Sequence, residues 1–593
     1  MKPQLMKAGA APLCVLKFGS SVLASEADYD AAAQEVFRHV RRGEKIIAVV
    51  SALAGETDAL LAQGELVGGS GATPHAATMA RLARVGELRS AALMGLALGR
   101  IGVRTSVLDP HEIGLEAEGD PMDANLCGLD KGAVADALCN HEVLAVPGFT
   151  AMHARFGAVT LGRGGTDLTA VFFAAQCGAA RVRLIKDVDG VYAEDPAENP
   201  AADRYAELDY DAAAHVSAGL IQPKAIAAAK AAGLVVEIAA MGSGDATRIC
   251  NAPVRKAAAR PARRIRVSLL GCGAVGAGVL AHLRSRPDLF EINPVLVRNT
   301  ASRPGNGPVR FTDTLDAALS GEPDLVVELL GGADLPADIM ADALHRGAHI
   351  VTANKAALAR HYDRLHAAAR DGGARLSFSA AVGGGTPILE TLDRLAATGG
   401  AARIEGVMNG TANFLLDRLA AGDAFDHAVK EAQRLGFAEA DPAADVEGHD
   451  AADKLSLLIR AAFGKAVDPA GIPKDSLADI DPAAVKSARD EGMAFKQIGV
   501  CELSDNGEVK AEVRVRAVPV AHPLAGARNE ENRFILVRAD GGEITLFGKG
   551  AGRWPTAAAV FADIMDIHRG LSEPDRAEPA SSAPSRAPAL LRA

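Results

Sequence analysis

Short, wholly apolar runs alternate with amphipathic stretches through the first half of the chain. CVLKF (Cys14–Phe18) and KIIAVV (Lys45–Val50) read as buried strands, and the segment after the first carries helical spacing as far as Arg42. The same strand, glycine turn, helix order returns in TLGRGGTDLTAVFFA and RLIKDVDGVYAEDP, and it predicts a parallel sheet with crossover helices. RIRVSLLGCGAVG starts a second series, continued by INPVLVRN, DLVVELLGG and HIVTANKAALA. Near Gly400 the pattern changes to longer strands with intervening helices, and a further helix is predicted after Pro442, with Asp450 and Lys454 on one face. Two stretches carry neither period: 244–263, rich in Ala, Pro and Arg, reads as a linker, and 571–593, rich in Pro, Ala and Ser, as a disordered tail.

Composition narrows the class of protein. A chain of 593 residues has room for several domains, and 49% hydrophobic with 23% charged residues is globular composition. A net charge of -11 argues against nucleic acid or anionic lipid as partners, since both need a basic surface. With neither a run of roughly 20 apolar residues nor a signal-peptide core at the N-terminus, the expectation is a cytoplasmic protein without a membrane partner. Seven scattered cysteines without CxxC spacing predict reduced thiols and no metal site.

Chemistry-bearing residues collect where strands end. Lys17 precedes Gly19, Ser20 and Ser21, a turn that offers backbone N–H groups and a cation to a polyphosphate. Glu87 and Arg89 are placed at the opening of a helix. Arg163, Thr166 and Asp167 occupy a glycine-rich strand-to-helix turn, and Lys186, Asp187, Asp189 and Tyr192 follow another strand. Each loop alone is an ordinary turn; four of them at strand ends form a pattern.

The motifs KFGSS, VVSALAGETD, GELRS, GRGGTDLTA and KDVDGVYAEDP resemble, in family order, the amino-acid kinase superfamily and aspartate kinase in particular. The resemblance implies a three-layer α/β sandwich over 12–243 and ATP with Mg as co-substrate, the nucleotide held by Lys17, Gly19, Ser20, Ser21, Lys186, Asp187, Asp189 and Tyr192. Glu87, Arg163 and Asp167 would bind the amino-acid substrate, and Lys224, in SAGLIQPKA, would stabilise the transferring phosphoryl group. KFGSS departs from the usual KFGGTS, and the linker is too short for the paired regulatory domains of many relatives.

In the second half, Gly271, Gly273, Ala274, Val275 and Gly276 lie between a strand and a helix, the context that makes GxGxxG a dinucleotide loop. The next strand ends in Arg298 and Asn299 rather than an acid, which favours NADP over NAD. Thr352 and Lys355 lie in a loop at the carboxyl edge of the sheet, where such folds bind ligands.

GCGAVG, VVELLGG, VTANK, AVGGGTP, NGTANF, GFAEADP, GHDAADK, HPLAG and GAGRWPT resemble homoserine dehydrogenase in family order. The resemblance implies a Rossmann domain (264–400), an α+β catalytic and dimerisation domain (401–570) whose end returns to the first, a homo-oligomer (dimer or tetramer) and a monovalent cation. Lys454 and Lys355 would flank the reacting carbon, and Glu439, Asp445, Asp450, Asn409, Gly410 and Thr411 would hold the substrate. Phe437 replaces a common tyrosine, and Ser379 stands where many relatives carry an acid. Together the halves imply a two-enzyme fusion in the aspartate route to threonine and methionine, handling aspartate, aspartate semialdehyde and homoserine. A first half that serves as a binding or assembly module, or phosphorylates another amino acid such as glutamate, stays open.

Overall fold

The computed structural model describes residues 11–68, 75–199, 201–217, 219–258, 263–301, 309–435, 437–438 and 441–572. It separates into two compact units, 1–261 and 262–593. Both are α/β, as expected.

The first unit is built on a nine-stranded sheet. Leu13–Phe18 lies between Lys45–Val50 and Arg181–Lys186, all parallel, with Val143–Pro147 and Val236–Ala240 next outward on the two sides. Both faces of Leu13–Phe18 are buried, which accounts for the uninterrupted apolar run. A four-stranded sheet, Glu116–Asp120, Asp123–Gly128, Thr150–His153 and Gly157–Thr160, lies beside it in sequence and carries the approach to the GRGG turn. Glu56 and Thr57 of the VVSALAGETD motif begin a helix that runs to Gly68. Two readings change here. Glu87 and Arg89 lie in the middle of the Ala76–Arg100 helix rather than at its start. The expected linker adds Thr247–Ile249 and Arg255–Lys256 to the sheet, with Val236 opposite Ile249 and Tyr205 opposite Lys256. Strands this short, Thr247–Ile249 inside the sheet and Arg255–Lys256 at its edge, are held by their neighbours' hydrogen bonds, so they carry no hydrophobic period of their own.

The second unit opens with a parallel sheet. From edge to edge its strands run Phe311–Thr312, Val295–Leu296, Ile265–Leu270, Leu325–Glu328, His349–Thr352 and Leu376–Ser377. In chain order that is 3-2-1-4-5-6, the doubly wound arrangement that binds dinucleotides at its switch point. Beyond Gly400 the topology turns antiparallel, with Ala401–Val407 between Met493–Leu503 and Glu531–Arg538. The core does not stop at that point: one hydrophobic cluster joins Leu270, Val326 and Ile350 to Ile404, Leu455 and Phe534.

The helix Arg553–Ser572 returns to the parallel sheet, burying Ala557, Val560 and Ile564 with Val267, Leu269 and Val279. A Cβ on Gly278 would lie 2.8 Å from that of Ala557, so the two helices approach closely at this glycine. The predicted tail therefore begins with two helical residues, Leu571 and Ser572, and the rest of it lies outside the described residues. No helix among the described residues is long and apolar enough to cross a membrane.

Candidate active sites

In the first unit the sheet brings two lysines to one carboxylate. Lys17 and Lys186 end neighbouring parallel strands, and Asp167 sits in the first turn of the Gly165–Cys177 helix. Lys17 Nζ lies 2.7 Å and Lys186 Nζ 3.2 Å from Asp167, all three buried. Gly164 caps this helix at φ 75°, a left-handed backbone that favours glycine, and a Cβ on Gly19 would lie 2.6 Å from Lys17 Nζ and displace that ammonium. Burial pushes the Asp167 carboxyl up, but the ammonium groups of Lys17 and Lys186 outweigh it and hold the acid below its ordinary range. Two cations on one anion leave a positive charge beside a helix N-terminus, which suits a phosphate.

A cavity of about 240 Å³ opens beside this cluster, with Ser20, Ala52, Glu87, Phe149, Arg163 and Thr166 in its wall. Burial pushes the Glu87 carboxyl up to about 8, against the opposing Ala52 N–H and Lys17 charge. Its Oε2 meets no hydrogen-bond donor among the described residues, which leaves it for a ligand's ammonium group. Arg163 is exposed at the rim. Lys224 is exposed and paired with Asp123 at 2.6 Å; Asp123 crowds Gly162, so Lys224 stands at the edge of the GRGG turn. Of the second nucleotide group, Asp187 is exposed, while Tyr192 donates to Asp189 at 2.6 Å and that carboxylate is already in use.

Cysteine spacing gave no sign of one grouping, Cys14 with His39 and Glu44. His39 already pairs with Glu44 at 2.6 Å and Arg181 holds the same carboxylate at 2.8 Å. Burial pushes the Cys14 thiol up to about 12, and the His39, Glu44 and Arg181 side chains beside it already partner one another.

The second unit repeats the two-lysine motif around Asp450. Lys355, first residue of the Lys355–Asp371 helix, contacts Asp450 Oδ1, and Lys454 lies 2.9 Å from Oδ2, one turn along the His449–Phe463 helix. The helix expected after Pro442 is two: Ala443–Val446 ends, and Gly448 at φ 75° restarts the chain as His449–Phe463. Asn409 caps the Gly410–Ala420 helix with its oxygen and donates its amide to Asp450 at 2.9 Å and Asp445 at 2.7 Å. Thr411 donates to Phe437 O at 2.6 Å, and the Phe437 ring stacks on Phe414. Gly410 fits against the backbone of Glu530, where a Cβ would sit 3.0 Å from Cα. Glu439 lies outside the described residues.

Burial alone would raise the Asp450 carboxyl, yet Lys454 and Lys355 hold it far below the usual range. Burial likewise lowers Lys355, but Asp450, Asp445 and Asp453 more than restore it, so the ammonium is secure. Lys454 Nζ also donates to Met408 O at 2.7 Å, so its third N–H has no partner among the described residues.

The glycine loop has the shape a dinucleotide requires. Gly271 has φ 99°, and a Cβ there would lie 2.5 Å from Leu329 O; one on Gly276 would lie 2.2 Å from Gly271 O. Gly273 caps the Ala274–Arg284 helix, so Ala274, Val275 and Gly276 form its first turn and present N–H groups. Arg298 is exposed just past the strand whose Leu296 O accepts from Gly271 N.

Thr352 departs from expectation, being fully buried with its hydroxyl given to Glu328 at 2.6 Å, so that side chain is not available to a cofactor. Glu328 itself escaped sequence reasoning. It is the lone acid of an apolar strand, fully buried, raised by that burial, and it also accepts from Leu330 N and the Asn354 amide. It orients the residue that caps the Lys355 helix. Where many relatives have an acid, Ser379 donates to Asp563 at 2.7 Å, a carboxylate supplied by the last helix.

Comparisons with known proteins agree with this division. Residues 12–239 match the model of the amino acid kinase family, 271–379 that of the homoserine dehydrogenase NAD binding domain, and 387–565 that of homoserine dehydrogenase. The homoserine dehydrogenase of Corynebacterium glutamicum is 35% identical over 326 residues, 52% of this chain and 73% of that protein. The Bacillus subtilis enzyme is 33% identical over 321 residues, 52% and 74% of the two chains. A crystal structure of a homoserine dehydrogenase from Thiobacillus denitrificans is 34% identical, covers 52% of this chain and 74% of its own, and has a TM-score of 0.49.

Proposed function

From the premise that the chain belongs to the homoserine dehydrogenase family and carries an amino acid kinase domain ahead of it, we propose two activities. The second unit reduces L-aspartate 4-semialdehyde to L-homoserine with NAD(P)H, and the first phosphorylates L-aspartate on its side-chain carboxylate with MgATP. The dehydrogenase assignment rests on one observation: Lys454 keeps two of its N–H groups on Asp450 and Met408, and the remaining one has no partner among the described residues.

The Gly271–Gly276 turn would hold the pyrophosphate of the reduced dinucleotide, which would supply the hydride. As the aldehyde carbon is reduced, negative charge grows on its oxygen, and the Lys454 ammonium meets that charge with a hydrogen bond and then a proton. Asp450 keeps both lysines in place and charged, and Asn409 fixes Asp450. Asp445, held by the same amide, offers its other oxygen to the substrate's ammonium group.

In the kinase unit, an ionised carboxylate needs no base to attack the γ-phosphate, only alignment and charge neutralisation. Lys17 and Lys186 provide that charge, Glu87 takes the substrate's ammonium, and Arg163 its α-carboxylate. Retention of the complete Lys17–Asp167–Lys186 cluster supports catalysis over a purely binding role.

Two variants test the pair of assignments. Lys454→Ala is expected to lose about 10²-fold or more in semialdehyde turnover while its dinucleotide affinity changes little; unchanged turnover would sink the role of this lysine. Lys17→Ala is expected to abolish acyl-hydroxamate formation from ATP and aspartate. Hydroxamate from glutamate instead would move the substrate, and none from either in the wild type would make the unit a binding module.

A further inference from the structure

We propose that Glu328 is a positioning residue of the reduction: its carboxylate, through Thr352 and Asn354, fixes the start of the Lys355–Asp371 helix and with it the Lys355 ammonium on Asp450. The effect on turnover rests on the dehydrogenase reading above; the placement of the lysine does not.

Glu328 ends the Leu325–Glu328 strand and lies opposite Thr352, the last residue of the neighbouring parallel strand. Its side chain is fully buried among neutral partners: Thr352 Oγ1 donates to Oε2 at 2.6 Å, Leu330 N to Oε1 at 2.7 Å, and the Asn354 amide reaches Oε1 at 3.4 Å. Among the described residues no cation pairs with it, and burial raises its carboxyl against those three hydrogen bonds. A buried acid without a cation is costly, and an apolar side chain would avoid the cost.

The reason for an acid lies in the direction of the hydrogen bonds. Asn354 N donates to Thr352 Oγ1 at 2.9 Å, so that hydroxyl is already an acceptor and turns its own proton onto Glu328. Every group aimed at the carboxyl is therefore a donor, and an ionised carboxylate accepts on both oxygens. Glutamine cannot answer all of them. With its NH2 towards Thr352 the hydroxyl proton has no acceptor, and with its NH2 towards Leu330 two donors face each other.

What this carboxylate holds leads to the reaction centre. Asn354 is fixed at three points: its N–H on Thr352, its amide on Gly332 O at 2.9 Å, and its Oδ1 accepting from Ala357 N at 3.1 Å, where it caps the helix. Lys355 is the next residue, and its Nζ contacts Asp450 Oδ1. The helix is interrupted at His361 (φ -120°, ψ 19°), so the short segment that bears Lys355 takes its direction from its cap rather than from the helix beyond. The same carboxylate holds Leu330 N, and the Leu329 carbonyl just before it packs where a Cβ on Gly271 would lie at 2.5 Å. One buried acid thus sets the lysine and the wall behind the glycine turn in a common frame.

The test uses the full-length protein and the variants Glu328→Gln, Thr352→Val and Thr352→Ser. Steady-state reduction of the semialdehyde gives kcat and KM, titration with NADPH gives dinucleotide affinity, and acetylation by acetic anhydride, read by mass spectrometry, reports on each lysine without turnover. In Glu328→Gln and Thr352→Val, kcat is expected to fall about tenfold or more, the scale of a displaced reacting group. Dinucleotide affinity in Thr352→Val should stay near the wild-type value. Lys355 should be acetylated about threefold faster or more in both variants, because an ammonium parted from Asp450 gives up its proton more readily. The exposed Lys486 should label at the wild-type rate. Thr352→Ser keeps the hydroxyl and should keep most of the turnover. Where denaturation shows that Glu328→Gln does not fold, Thr352→Val, which leaves the acid in place, decides by the same readings. Undiminished turnover in the folded variants, a loss of turnover with Lys355 labelling unchanged, or a Thr352→Ser variant as slow as Thr352→Val would overturn the proposal. Faster Lys355 labelling in the variants of a protein whose wild type reduces no semialdehyde would count against the dehydrogenase reading and support the placement of the lysine by Glu328.

Discussion

Both units place one buried aspartate between two lysines, yet they arrive there by different constructions. Asp167 is met by lysines at the ends of adjacent parallel strands, so the sheet register sets their separation. Asp450 is met by one lysine from its own helix and one from the start of another, and an asparagine amide holds it from a third side. The sheet-built cluster has no such amide among the described residues and opens on a glycine-lined cavity, an arrangement that would let an incoming phosphate compete for the lysines. The helix-built cluster is tied on every side and keeps one N–H for a single oxygen, an arrangement for a defined proton transfer. Under the proposed function, the same three charges would serve as a movable counter-ion set in one unit and a fixed acid in the other.

The largest test removes the central acid from each. Asp450→Asn leaves two half-buried ammonium groups facing each other without their counter-ion and is expected to destabilise its unit by at most about 3–5 kcal/mol. Asp167→Asn is expected to cost a similar amount without ligand, but ATP should restore much of it, because phosphate supplies the missing negative charge. Chemical denaturation followed separately for the two transitions would show this. Equal rescue of both variants by ATP, or of neither, breaks the distinction.

The lysines of both clusters were legible in the sequence because strand ends and i,i+4 spacing are local features; Lys17, Lys186, Asp450 and Lys454 announce themselves within a few residues. Glu328 was not, since its meaning lies in Thr352 and Asn354 on the next strand and loop. Asp563 was still less so, because it reaches Ser379 across 184 positions. Thr352 was misjudged for the same reason: its place at a strand's end was visible, but the buried acceptor that turns it inward was not. The succession of parallel strands and helices was legible in the apolar runs, though not their spatial order, whereas the short strands at Thr247 and Arg255 have no pattern apart from the strands they pair with.

Opposite pH dependences sharpen the contrast between the units. Glu87, pushed up to about 8 from an ordinary 4.5, contributes stability that is complete below 4.5 and is lost as pH rises through its folded value. Asp450, held far below its ordinary 3.8, contributes stability that is present above 3.8 and lost as pH falls. Glu87→Gln removes the first dependence. Relative to wild type, the ligand-free variant should gain about 2–4 kcal/mol in the first unit between about pH 5 and pH 9, and nothing below that range. A difference that stays flat through neutral pH would show that Glu87 is ionised in the folded protein.

The smallest expected effect concerns the dinucleotide. Arg298 stands exposed two residues beyond Leu296, whose carbonyl holds the first glycine of the turn, at the strand end where an acid would select a ribose 2'-hydroxyl. A guanidinium in solvent gives a 2'-phosphate only part of what a buried pair would, because water and salt screen it. Arg298→Ala should therefore lower kcat/KM for NADPH by about tenfold and leave NADH nearly unaffected. The loss should shrink as ionic strength rises, which separates a charge contact from a distorted loop, since distortion would penalise both cofactors at every salt concentration. Equal losses with NADH and NADPH would remove Arg298 from cofactor choice and leave the Gly271–Gly276 turn as the only part of the dinucleotide site argued from this strand edge.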